Sequence, residues 1–220
     1  EHTNIKGFKN FCSFCMNKDI KKIIYASSSS VYCDQNKEKF SESKTELKPK
    51  SDYGLSKLQN EQFASSLTNE ENVSMVGLRF FSVYGPYGRP DMAFFSFVES
   101  IRRGEEIILF NKGKMLRDMT YIDDIVNGLV LTLAFIKKSN PKNEIFNLGN
   151  NTPIKTIELL KIIERQLRIK AKIKNKNIFN ESEFTHADIS KAIKILGYKP
   201  KISIEAGIEK FIKWHYEYKK

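Results

Sequence analysis

No stretch of the 220 residues approaches the roughly 18 consecutive apolar residues that a membrane-spanning helix needs, so none reads as a membrane span. The opening Glu-His-Thr-Asn-Ile-Lys lacks the charged-then-apolar pattern of a secretory leader. There are only three cysteines, Cys12, Cys15 and Cys33, an odd number without framework spacing, which argues against a disulfide scaffold and for a reducing cytoplasm. Cys12 and Cys15 have redox or zinc spacing, but no second pair exists and both fall in an apolar helical stretch, so core packing is expected of them. His2, His186 and His215 are scattered, and no metal site is expected. Nor does any Gly-x-Gly-x-x-Gly, Gly-x-x-Gly-x-x-Gly or phosphate-loop pattern occur. A pyrophosphate bound at a helix start needs the close backbone approach that glycines allow, and this chain offers no such turn.

With 40% hydrophobic residues the chain can bury a substantial core. Its net charge of +11 and pI near 9.4 invite a nucleic-acid reading. The lysines are spread along the chain with no accompanying RNA- or DNA-binding motif, so a solvated basic surface is the expectation and no nucleic-acid partner is assigned. Apolar and turn patterns predict helices at 5–17, 53–67, 92–103, 124–136, 156–167 and 204–218, and strands at 22–26 and 73–80. Strands alternating with helices imply parallel βα units and an α/β fold. Residues 33–52 are charged and polar and read as a loop over a site; the turn-rich 85–90 reads as a joint, placing a domain boundary near Val83.

The strongest chemical signal is Tyr53 and Lys57, four apart in a helical stretch and so on one face, with Ser28 upstream at the end of the apolar run Ile23-Ile24-Tyr25-Ala26. A lysine ammonium stabilises a tyrosinate, drawing a phenol of ordinary pKa near ~10 towards the range of a general base. Spacing alone is weak evidence, because Tyr216 and Lys220 share it. Asp123 and Asp124 look like a carboxylate pair, but acids at a helix start are expected to cap it.

The blocks IIYASSSSVY, YGLSK, LRFFSVYGPYGRPDM, FNKGKMLRDMTYIDDIV, FNLGN and ADISKAIKILGYKP, in this order from about Asn4 to the C-terminus, resemble the extended short-chain dehydrogenase/reductases, specifically their nucleotide-sugar epimerases, with the UDP-glucuronate 4-epimerases the closest match. The resemblance implies an incomplete Rossmann-like parallel sheet, its first half missing, plus a smaller mixed α/β substrate domain. Residues 1–83 would carry the catalytic half of the NAD-binding domain and 84–220 mainly the UDP-sugar domain, with 124–148 returning to the first. It implies NAD as cofactor and a UDP-sugar as substrate. Ser28, Tyr53 and Lys57 would be catalytic, with Tyr53, Lys57 and Phe80 beside the cofactor. Ser29, Ser30, Phe81, Ser82, Arg89, Leu109, Phe110, Asn111 and Arg117 would line the substrate, Arg117 gripping the diphosphate rather than pairing with Asp118. A second diphosphate arginine, expected just upstream of Ala187, has no counterpart in residues 178–184.

Related 4,6-dehydratases carry an Asp-Glu pair at the positions of Ser29 and Ser30, and related decarboxylases a Glu at that of Ser30; neutral hydroxyls here favour plain epimerisation. Missing the glycine turn and the first strands, the chain is expected to be a C-terminal fragment, inactive alone, of an enzyme pairing as a homodimer through 5–17 and 53–67. Epimerases of UDP-glucose or UDP-N-acetylglucosamine, and a non-catalytic remnant binding UDP or a full-length subunit, are the alternatives.

Overall fold

Strand β1 (Lys22–Ser28) is an apolar run that β2 (Ser74–Phe80) flanks in parallel, and the computed structural model, which describes residues 2–32, 38–44, 46–178 and 183–218, builds the first sheet on this pair. Ahead of β1 a wide turn, His2–Lys6, leads into α1 (Gly7–Asn17); after it a short 3-10 turn, Ser29–Val31, and the loop precede α2 (Asp52–Glu70). Next come β3 (Ser82–Tyr84), α3 (Ala93–Arg103), β4 (Glu106–Phe110), β5 (Leu116–Tyr121) and α4 (Ile122–Ser139). The chain ends with β6 (Asn143–Leu148), β7 (Pro153–Lys155), α5 (Thr156–Leu167), β8 (Lys172–Lys176), α6 (Ser190–Leu196) and α7 (Ile204–Tyr218).

The first sheet has the order β1-β2-β6, all parallel, and both of its faces are covered, as parallel sheets require. On one face Ile23, Tyr25 and Met75 pack under Cys12 and Cys15 of α1 and Ala64 of α2. On the other, Val76, Leu78, Phe146 and Leu148 meet Ile125 and Ile136 of α4 and Leu196 of α6. Cys12 and Cys15 are therefore core residues with free thiols, and burial raises the Cys12 thiol to about 11. A second body contains β3-β5-β7 and the two-stranded β4-β8, with Phe94, Val98, Leu160, Ile163 and Phe211 of α3, α5 and α7 forming its core.

The loop before α2 is tied down. Phe40 bridges to Ala187, and the Asn147 side chain donates to the Phe40 carbonyl at 2.7 Å. Cys33 falls outside the described residues, as do positions 179–182 of the segment without an arginine. Helix α4 starts at Ile122, two residues before the expected 124, and Asp124 does not serve it: its carboxylate accepts from the backbone N–H of Lys201 and Ile202 at 3.0 and 2.9 Å. The side chain is spent on the link between α6 and α7 rather than on its own helix start.

In the first sheet Tyr25, Gly77 and Ile145 stand in one cross-strand row. A Cβ on Gly77 would lie 2.6 Å from Ile145 and 2.7 Å from the Tyr25 ring, so only glycine fits between them. Gly77→Ala is expected to destabilise the chain by about 1–3 kcal/mol, the cost of overpacking a closed core, with the urea-unfolding slope unchanged.

Candidate functional site

Helix α2 begins where the sequence caps it: the Ser51 hydroxyl accepts from the Gly54 N–H at 3.0 Å. Gly54 then lets the helix press on the turn after β1, since a Cβ there would strike the Ser30 carbonyl and lie 2.9 Å from Pro49. This contact sets Tyr53 beside the serine turn. Ser28 closes the turn, its hydroxyl accepting from the Ser30 N–H and donating to the Ser30 hydroxyl, both at 3.1 Å. Ser28 is buried, Ser29 and Ser30 are half-buried, and the Tyr53 ring is half-exposed. Lys57 donates to the Ala26 carbonyl at 3.0 Å, with its ammonium 5.7 Å from the centre of the Tyr53 ring. Burial lowers the Lys57 pKa.

Register carries this end of the sheet to a second feature. Ser28 pairs across with Phe80, so the segment leaving β2 at Phe81 and Ser82 starts beside the trio. Ser82 lines a cavity of about 290 Å³ walled by Met92, Phe97, Leu109 and Phe110, with Arg117 on its rim. Arg117 faces this cavity and donates to the Leu116 carbonyl at 3.1 Å. The neighbouring Asp118 points the other way, because successive strand residues alternate faces. Asp118 is fully buried and accepts from the backbone N–H of Asn150 at 2.7 Å and of Ala187 at 2.9 Å. Burial raises its pKa, partly opposed by those hydrogen bonds.

The other expected site residues divide. Arg89 is exposed, forked onto Asp91 of the cavity rim with Nε to Oδ1 at 3.0 Å, and lies within electrostatic reach of Tyr53. Phe80 is half-buried at the end of β2. Phe81 belongs to the core, its ring 6.5 Å from that of Tyr32 and 6.2 Å from that of Phe40. Asn111 turns its amide away from this cavity, exchanging hydrogen bonds with the Ile178 backbone at 3.1 and 3.0 Å.

Sequence reasoning missed Glu61 and Arg79. Arg79, inside an apolar strand, is buried and donates to both oxygens of Glu61, at 2.9 and 2.6 Å. Ser27 donates to the same carboxylate at 2.5 Å. Arg79 also donates to the Tyr32 hydroxyl at 2.7 Å, and Tyr32 to Asn147 at 2.8 Å. The signal was present, for Glu61 continues the four-residue spacing of Tyr53 and Lys57. Among the described residues no group of three His, Cys, Asp or Glu could hold a metal ion, and no helix is long and apolar enough to cross a membrane.

A doubly covered parallel sheet with a hydroxyl-rich turn at its carboxyl end is a Rossmann-like α/β arrangement. Residues 1–149 match the NAD dependent epimerase/dehydratase family, and the chain belongs to it. An uncharacterised protein of Methanocaldococcus jannaschii is 44% identical over 218 residues, 99% of this chain and 66% of its own length. UDP-glucuronate 4-epimerase 4 of Arabidopsis thaliana is 41% identical over 235 residues, covering 99% of this chain; the chain spans 53% of that protein. Among solved structures, UDP-glucuronic acid 4-epimerase from Bacillus cereus, in complex with UDP-glucuronic acid and NAD, superposes with a TM-score of 0.92 at 31% identity, covering 99% of this chain and 68% of that one.

Asp118→Ala would leave the Asn150 and Ala187 N–H groups buried without an acceptor, and is expected to cost about 2–5 kcal/mol in urea unfolding. Asp118→Asn keeps one acceptor oxygen and is expected to lose roughly half as much.

Proposed function

We propose that the protein containing this chain epimerises a UDP-sugar at C4 through a 4-keto intermediate, with UDP-glucuronate and UDP-galacturonate as the favoured pair and NAD as cofactor. The observation that carries this reading is the register of Ser28 with Phe80, two residues before Ser82, which lines the cavity that Arg117 also lines. The relatives at 41% and 31% identity support the choice of reaction.

Tyr53, as tyrosinate, takes the proton from the sugar's 4-hydroxyl, which Ser28 holds by a hydrogen bond. Lys57, half-buried beside the ring, stabilises the phenolate and would hold the nicotinamide ribose when NAD is bound. The chemistry NAD supplies when bound is reversible hydride acceptance at C4. Tyr53 and Lys57, at the open side of β1, fit its nicotinamide end, and Phe80 would flank it; the glycine turn that would hold its pyrophosphate is not among these 220 residues. Arg117 anchors the diphosphate, with Leu109 and Phe110 against the uracil. Between the two half-reactions the keto sugar turns over and Tyr53 returns the proton to O4.

For a uronic acid the 4-keto species is a β-keto acid, prone to lose CO₂. Hydroxyls of Ser29, Ser30 and Ser82 would hold its carboxylate in an unreactive orientation, where an anionic side chain would repel it. Residues 1–83 together with 124–148 would form the cofactor side and the remainder the sugar side. The half-exposed rings of Phe11 and Phe14 on α1 favour a homodimer through α1 and α2.

The test uses the full-length protein. Tyr53→Phe is expected to cut turnover of UDP-glucuronate by about 10²–10⁴-fold while UDP affinity stays near wild type. Tyr216→Phe, whose ring instead lies under Arg102 at 3.8 Å, is expected to be silent. Equal losses from the two variants, or faster turnover of UDP-glucose or UDP-N-acetylglucosamine than of UDP-glucuronate, would contradict this assignment.

A further inference from the structure

Tyr53, Lys57 and Glu61 follow one another at four-residue intervals along α2, so one helix face presents a phenol, an ammonium and a carboxylate in sequence. A lysine and a glutamate four apart on a helix are natural ion-pair partners. Left to itself, the Lys57 ammonium would therefore have a ready partner in Glu61, one turn further along the helix and away from Tyr53. The structure shows a different pairing: Lys57 donates to the Ala26 carbonyl at 3.0 Å, while Arg79 occupies both Glu61 oxygens and Ser27 adds a third donor.

We infer that Arg79 is a positioning residue, whose guanidinium sequesters the Glu61 carboxylate and so leaves Lys57 free to stand beside Tyr53. Two features make the sequestration effective. The fork is fixed in place, because its remaining arm donates to the Tyr32 hydroxyl at 2.7 Å and its plane lies 4.7 Å from the Tyr32 ring centre. Both partners are buried, at 4% and 7% exposure, where a bidentate pair satisfies the carboxylate far better than a single ammonium would. Glu61 and Arg79 sum to zero charge, so the cation nearest the Tyr53 ring keeps its field. The effect on turnover rests on the epimerase reading above; the effect on where Lys57 lies does not.

The full-length protein carrying Arg79→Met, and the double variant Arg79→Met with Glu61→Gln, test this through crystal structures and steady-state kinetics. In the single variant Lys57 is expected to leave Ala26 and pair with Glu61, and kcat to fall by about 10²-fold with KM changed little. In the double variant Lys57 is expected back on Ala26, with most of kcat recovered. A merely structural role for the pair predicts the reverse order, the double variant being no better than the single. Lys57 still on the Ala26 carbonyl in folded Arg79→Met would overturn the inference. If Arg79→Met does not fold, the double variant decides alone: Lys57 on Ala26 upholds the inference, and Lys57 displaced, with no carboxylate to draw it, overturns it. Should the wild-type protein turn over no UDP-sugar, the epimerase reading fails, and the Lys57 position in these structures still decides this one.

Discussion

The buried pair between Arg79 of β2 and Glu61 of α2 is the contact on which the arrangement of this chain turns. Two ions taken out of water gain from each other only when geometry is good and the remaining hydrogen-bonding capacity is filled. Here it is filled on both sides: Ser27 of β1 completes the carboxylate, and Tyr32 completes the guanidinium and passes the connection to Asn147 of β6. Asn147 in turn donates to the carbonyls of Phe40 and Asp188, at 2.7 and 3.0 Å. One network thus ties all three strands of the first sheet, helix α2 and the loop that precedes it. Because the pair fixes how α2 is rotated on the sheet, it also fixes where Lys57 and Tyr53, about one and two turns earlier, emerge.

Strand alternation performs a similar division of labour in β5. Arg117 and Asp118 are adjacent and opposite in charge, yet they do not neutralise each other, because they point to opposite faces. Arg117 lines the cavity, while Asp118 pins the segment from 183 to 187 alongside the strand; Leu116 and Thr185 add backbone bonds at 2.9 and 3.1 Å. A guanidinium thereby lines a cavity that Ser82, Asp91, Ser96 and Thr156 share with apolar side chains.

Local signals in the sequence were enough to place α5 and α7 at their observed ends, since each has a strong apolar stripe. Helix α2 is a different case. Its buried positions are Gly54, Ser56, Asn60, Glu61, Ala64 and Thr68, small or polar side chains that give no helical apolar period, and Tyr53 and Lys57 were found through spacing and family resemblance. The same lack of contrast hid Glu61, which reads as a solvent-facing acid, and Arg79, which reads as an interruption of a strand. Strand β8, Lys-Ile-Lys-Asn-Lys, is exposed at every position and held by backbone pairing to β4, so no alternation announces it. Asn111 follows β4 in a 3-10 turn, and its amide bonds the Ile178 backbone, a partner that local sequence does not announce.

In the proposed reaction Tyr53 moves a proton at O4 while hydride leaves and returns at C4 of the same sugar. Full-length protein supplied with NAD and UDP-glucuronate deuterated at C4 tests this directly. The expected product is UDP-galacturonate that retains deuterium at C4, with no net reduction of NAD and no pentose product. Deuterium lost to solvent, or a pentose nucleotide accumulating with CO₂, would contradict it.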